Sequence, residues 1–130
     1  MTTTPGPALT LGMFAETTRN FTAADIDALH SVSGAPASRA AVPEALVNGM
    51  FSYLLGVELP GQGTNYLKQE TEFLQPAPIG DALTARVEIT RLRPDKHLVD
   101  LATTCRASDG TLIARGRALV LARDVAGAFA

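Results

Sequence analysis

Residues 41–75, AVPEALVNGMFSYLLGVELPGQGTNYLKQETEFLQ, read as a long apolar helix that turns directly into a strand. Ala45, Leu46, Val47, Met50, Phe51, Leu54, Leu55 and Val57 cover nearly the whole circumference at about 100° per residue, so the helix is expected to lie inside a core. It does not suit a lipid span, which needs about 20 apolar residues, because Glu44, Asn48, Ser52 and Glu58 interrupt it. Pro43 fits the first helical position, and Glu44 beside it gains from the positive end of the helix dipole. Pro60, Gly61 and Gly63 end the helix, and from Thr64 the pattern alternates as in a strand. Glu44, Asn48 and Ser52 recur at every fourth position and stack in one stripe that Gly56 continues. Polar side chains in a core need partners or a ligand, so this stripe is the candidate functional feature.

Composition sets the bounds. A chain of 130 residues with 46% apolar and 18% charged content is ordinary material for one globular domain. A net charge of −2, with both signs interspersed, excludes the electrostatic footprint of a nucleic-acid or anionic-membrane partner. The single cysteine, Cys105, excludes an internal disulfide framework and reads as a small buried hydrophobe rather than a nucleophile. No His, Cys or carboxylate pair has metal-ligand spacing, so no metal is expected. The start, MTTTPGPALT, lacks the basic and apolar regions of a signal peptide, and a cytoplasmic protein is expected.

In chain order, residues 1–10 read as a flexible tail, 11–123 as one domain and 124–130 as a C-terminal tail. A first strand is expected over 11–21. Thr22 and Asp25 form a capping-box pattern that opens a short helix with Ile26 and Leu29 inward, stopped by Gly34 and Pro36. After the central helix come four alternating runs separated by turn chemistry, read as an antiparallel meander. Asn65, Leu67, Gln69, Thr71 and Phe73 are expected inward in the first, with Tyr66, Lys68, Glu70 and Glu72 on the other face. Leu83, Ala85, Val87 and Ile89 point inward in the second, and Val99, Leu101, Thr103 and Cys105 in the third. Asp109-Gly110 marks the hairpin into the last strand. An α+β hot dog fold, a curved antiparallel sheet wrapped around one long helix, is the architecture this order favours.

The segment LLGVELPGQGTNYLKQETEFLQPAPIGDALTARVEITRLRPDKHLVDLATTC closely resembles the MaoC-like (R)-specific enoyl-CoA hydratases. Their Leu-Leu-Gly, Leu-Pro-Gly-x-Gly-Thr-x-Tyr-Leu, Pro-x-x-x-Gly-Asp and Leu-Arg-x-Asp-Lys elements all have counterparts, and the resemblance covers residues 52–121. It implies the hot dog fold and an acyl thioester substrate carried by coenzyme A or acyl carrier protein, with no other cofactor. It also implies a homodimer, since a long sheet edge would otherwise stay unpaired.

The sequence departs from that family at its chemistry. The family's Asp-x-Asn-Pro-x-His motif is missing: its Ser-Gly-Asp falls on Ser33, Gly34 and Ala35, and residues 36–42 hold no counterpart of the rest. Hydration of a conjugated thioester needs one group to activate water and another to deliver a proton. Aligned without gaps, the family's helix serine falls on Ser52 and its His-Gly-Met on Pro43, Glu44 and Ala45. The backbone N–H of Glu44 or Ala45 is then placed to polarise the thioester carbonyl.

Glu44, Asn48 and Ser52 are therefore the candidate catalytic residues, with Ala45, Asn65 and Tyr66 as substrate contacts, Asn65 facing the stripe across the cleft. Glu44 is equally a good first-turn residue, worth about 0.3–1 kcal/mol there. Three functions follow: a hydratase or dehydratase with altered chemistry, a thioesterase with Glu44 as base, or a non-catalytic thioester binder such as the silent subunit of a two-chain hydratase. Arg91, Arg93, Lys96, Arg115 and Arg117 could meet coenzyme A phosphates.

Overall fold

The computed structural model describes residues 7–34 and 40–129. Strand β1 (Phe14–Asn20) leads to helix α1 (Ala23–Ser33), the central helix α2 (Glu44–Tyr53) and four strands: β2 (Asn65–Phe73), β3 (Ala82–Arg93), β4 (Leu98–Arg106) and β5 (Leu112–Leu121). All pairings are antiparallel, in the order β1-β3-β4-β5-β2. The expected meander holds only for β3 to β5. Strand β2 does not lie beside β3; the connection over 74–81 carries the chain across, and β2 forms the far edge next to β5.

The alternation in β3 and β4 is the fold's strongest local signal, and its inward residues are sealed. Leu83, Ala85 and Val87 are 0% exposed and Ile89 2%, while Val99, Leu101 and Cys105 are 0% and Thr103 1%. Strand β5 turns small residues toward the helix: Ala114, Gly116, Ala118, then Val120. The helix, which approaches the sheet at β3, buries Val47, Met50, Phe51, Leu54 and Leu55. Each large one contributes about 1.5–3 kcal/mol by leaving water. A Cβ on Gly116 would overlap the carbonyl oxygen of Glu70 on β2, so this position admits only glycine without rearrangement.

The capping box at α1 forms as read. Thr22 N–H donates to Asp25 Oδ2 at 2.8 Å and Asp25 N–H to Thr22 Oγ1 at 3.3 Å, while Gly34 ends the helix with φ of 73°. Pro43 caps α2 from outside rather than opening its first turn, with φ −58° and ψ 141°. Past Tyr53 the helix widens over Leu54–Glu58, where Leu59 N–H reaches the Leu54 carbonyl five residues back at 2.7 Å.

Contrary to the expectation of burial all round, α2 is covered on one side only. Ala45, Gly49, Ser52, Tyr53, Gly56 and Val57 are exposed in the single chain, because only the sheet's concave face packs against the helix. The packed domain also extends past position 123. Leu9 N–H bonds the Ala128 carbonyl at 2.9 Å, Ala128 is buried, and Phe129 meets the His97 ring edge-on at 5.6 Å. The segment after Gly34 that would carry the family's acid-base motif, Ala35 included, lies outside the described residues.

Candidate active site

In the middle of the polar stripe of α2, Asn48 is joined to strand β2 by side chains. Asn48 Oδ1 accepts from Gln69 Nε2 at 2.5 Å and from Thr71 Oγ1 at 3.2 Å, and Gln69 Nε2 also donates to Thr71 Oγ1 at 3.0 Å. This closed triangle is where helix and edge strand meet. Glu44, one turn earlier, lines a cavity of about 320 Å³ with Val47, Phe73, Gln75 and Ala77, between the start of α2 and the end of β2. The N–H groups of Glu44 and Ala45 have no partner among the described residues; Val42 N–H bonds Ala77, and Leu46 N–H closes the first turn onto Pro43. Two free amides at a helix start form a site suited to an electron-rich oxygen. Ser52, two turns beyond Glu44, is exposed on the same helix.

A register shift between Tyr66 and Lys68 decides which β2 residues face the helix. Tyr66 pairs with Val120, Gln69 with Ala118, Thr71 with Gly116 and Phe73 with Ala114, all on the concave side. Asn65 pairs with Leu121 on the opposite face and does not look across the cleft at the stripe, and Leu67, expected inward, is 53% exposed. One extra residue in a strand reverses the parity before it, which is why simple alternation failed at Asn65, Tyr66 and Leu67 and held at Gln69, Thr71 and Phe73. Gln69 and Thr71 carry a signal in the sequence, as inward polar residues opposite a polar helix stripe, whereas the contact expected from Asn65 does not form.

The hydroxyls of Tyr66 and Thr103 are buried on this concave side without a hydrogen-bond partner among the described residues. Each costs about 1–3 kcal/mol if left so. Burial pushes the Tyr66 phenol above its ordinary range. Burial also pushes the Cys105 thiol up to about 11, which keeps it protonated and unreactive at neutral pH. Arg91, Arg93, Arg115 and Arg117 lie on the convex face, where Arg93 and Arg117 both hold Asp100, at 2.9 and 3.3 Å. They are across the sheet from α2. Among the described residues no group of three or more His, Cys, Asp or Glu could hold a metal ion, and no helix is long and apolar enough to cross a membrane.

A five-stranded antiparallel sheet curled around one central helix, with a polar seam and an open cavity at the helix start, defines a hot dog protein. Comparison with known proteins narrows the class. An (R)-specific enoyl-CoA hydratase from Aeromonas caviae is 36% identical over 127 residues, spanning 87% of this chain and 95% of the relative. The solved structure of an (R)-hydratase from A. caviae involved in PHA biosynthesis matches with a TM-score of 0.80 at 33% identity, over 88% of this chain and 98% of the other. A MaoC-like dehydratase from Rhodospirillum rubrum shares the fold at 21% identity, with a TM-score of 0.69 over 86% of this chain and 91% of the other. No protein-family model matches the sequence. The chain belongs to the MaoC-like (R)-specific enoyl-CoA hydratase family.

Proposed function

We propose that this protein binds acyl thioesters of coenzyme A or acyl carrier protein along the α2–β2 seam, and that its hydration chemistry is altered relative to the family or lost. The observation that carries this reading is the seam itself. Glu44 lines the 320 Å³ cavity at a helix start whose Glu44 and Ala45 amides have no partner among the described residues, and one turn further the Asn48 amide is fixed against β2. In this reading the amides hold the thioester carbonyl, while Glu44, Asn48 and Ser52 border the acyl group. The carboxylate of Glu44, at the cavity, favours hydrolysis as the second reading, with Glu44 activating water.

Incubating purified protein with a short trans-2-enoyl-CoA and with saturated acyl-CoAs separates the outcomes. Tight binding with little or no loss of the enoyl absorbance is expected; release of free thiol supports hydrolysis. Failure to bind any acyl thioester defeats the proposal.

The partner is a second copy of this chain. Strand β2 leaves one edge of nine residues unpaired among the described residues, and the outer face of α2 carries Ala45, Gly49 and Gly56. A Cβ at Gly49 or Gly56 would meet nothing within 4 Å, which leaves room for another backbone to approach. Light scattering is expected to give a dimer mass, and a monomer would remove this part of the reading.

A further inference from the structure

On the convex face of the sheet, several cations are matched by acids. Arg86 holds Glu16 and Glu88, both at 2.7 Å, Lys68 holds Glu70 at 3.0 Å, and Arg115 holds Glu72 at 3.3 Å. Around Asp100 the balance differs. Its two oxygens take Arg93 Nη2 at 2.9 Å and Arg117 Nη2 at 3.3 Å, so one carboxylate serves two guanidinium groups. Arg91, directly opposite Asp100 on β3, has no hydrogen bond or ion pair among the described residues. These three arginines line a hollow of about 400 Å³ with Thr90, Asp100 and the short side chain of Ala102. The acids in the adjoining row, Glu88 and Glu70, are already held by Arg86 and Lys68. Three positive groups against one negative leave two charges unmatched at the hollow.

Asp100 gives the cluster shape as well as charge. Its side chain is 13% exposed, against 50% for Arg117, and it ties an arginine from β3 to one from β5 across β4. Each of the two spends Nη2 on it, while Nη1 of either has no partner among the described residues. Planar guanidinium groups with uncommitted N–H donors suit the tetrahedral oxygens of a phosphate. We infer that this hollow binds a phosphate monoester, whose charge of about −1.5 to −2 at neutral pH answers the two unmatched arginine charges. The site lies across the sheet from α2 and does not rest on the thioester reading above.

The experiment is calorimetric titration of the full chain with inorganic phosphate at low ionic strength, where screening is weakest. Arg91→Gln is expected to weaken binding about tenfold, the size of one charge-assisted hydrogen bond. Arg115→Gln removes the same charge from the same face, but from a matched pair outside the hollow, and should weaken it less than twofold. Equal losses in the two variants would mean that phosphate meets only the general charge of the face, and would overturn the inference. Asp100→Asn adds positive charge but loosens Arg93 and Arg117, so binding should fall; a rise would show that charge alone attracts the anion and would also overturn it. Coenzyme A compared with dephospho-coenzyme A separates two sources of the ester. Tighter binding of coenzyme A that Arg91→Gln abolishes supports the site with the carrier's 3′-phosphate as its ligand, whereas equal binding of the two, with inorganic phosphate still bound, supports it with a separate phosphate ester. A wild type that binds neither inorganic phosphate nor that 3′-phosphate overturns the inference and leaves the thioester reading standing.

Discussion

Strands β4 and β2 both pair with β5, yet they treat their inward faces in opposite ways. On β4, Val99, Leu101, Thr103 and Cys105 are sealed to 1% exposure or less. On β2, Tyr66, Thr71 and Phe73 are half-buried, Gln69 is exposed, and a register shift bends the strand near its start. The difference follows from position. A strand with neighbours on both sides has its inward face sealed by packing on each flank, and its register shifts fall only at the ends of the sealed run, after Ile89 and Cys105. An edge strand with one neighbour can carry polar groups and an extra residue at little cost. The polar seam accumulates where the sheet is least constrained.

The sharpest way to break this contrast lies in one row that crosses the sheet, Leu101–Ala118–Gln69. Leu101→Ala empties a sealed site and should cost about 2–5 kcal/mol in urea unfolding, whereas Gln69→Ala in the same row should cost about 1 kcal/mol or less. Equal costs would erase the distinction between core and seam. On the strand that both share, Gly116→Ala drives a methyl into the Glu70 carbonyl and should cost about 1–3 kcal/mol, read as a lower urea midpoint. An unchanged midpoint would mean that β2 is not held against β5 as closely as the geometry requires.

At the seam's far end, the effect should appear in function and hardly in stability. Glu44→Ala is expected to abolish any hydrolysis of acyl-CoA while costing about 1 kcal/mol or less, the size of its interaction with the helix dipole. Unchanged turnover would remove Glu44 from the chemistry.

The smallest effect is expected at Asp81, which anchors the chain where it returns from β2 to the core. The Ser108 hydroxyl and then the Ser108 backbone N–H hold its carboxyl below the usual carboxylate range. A depressed folded value means that this contribution is present above the unfolded value, about 3.9, and is lost as pH falls through the folded one. Ser108→Ala should therefore move acid unfolding slightly toward higher pH. A shift toward lower pH would contradict the hydrogen bonds as assigned.

Some of this was legible in residue order alone. Period-two alternation named every sealed position of β3 and β4, because the register shifts of these two strands fall after Ile89 and after Cys105, beyond the sealed run. The capping box at Thr22 and Asp25 was equally local, since both partners lie within one turn. The apolar helix over residues 44–58 was also plain, as was its stripe of Glu44, Asn48 and Ser52. Its composition, however, implied burial all round, while the single chain covers one face.

Only the tertiary structure decided where β2 sits and which way its residues point. Nothing in YLKQET marks the shift after Tyr66; it arises from pairing with β5, a strand about fifty positions later in the chain. That long-range register turned Tyr66 inward and Asn65 outward, and brought Gln69 and Thr71 onto Asn48. Sequence by itself determined the class of fold and the polar helix stripe, because both rest on local periodicity. The partners of that stripe depend on a pairing between distant segments, which local periodicity does not encode.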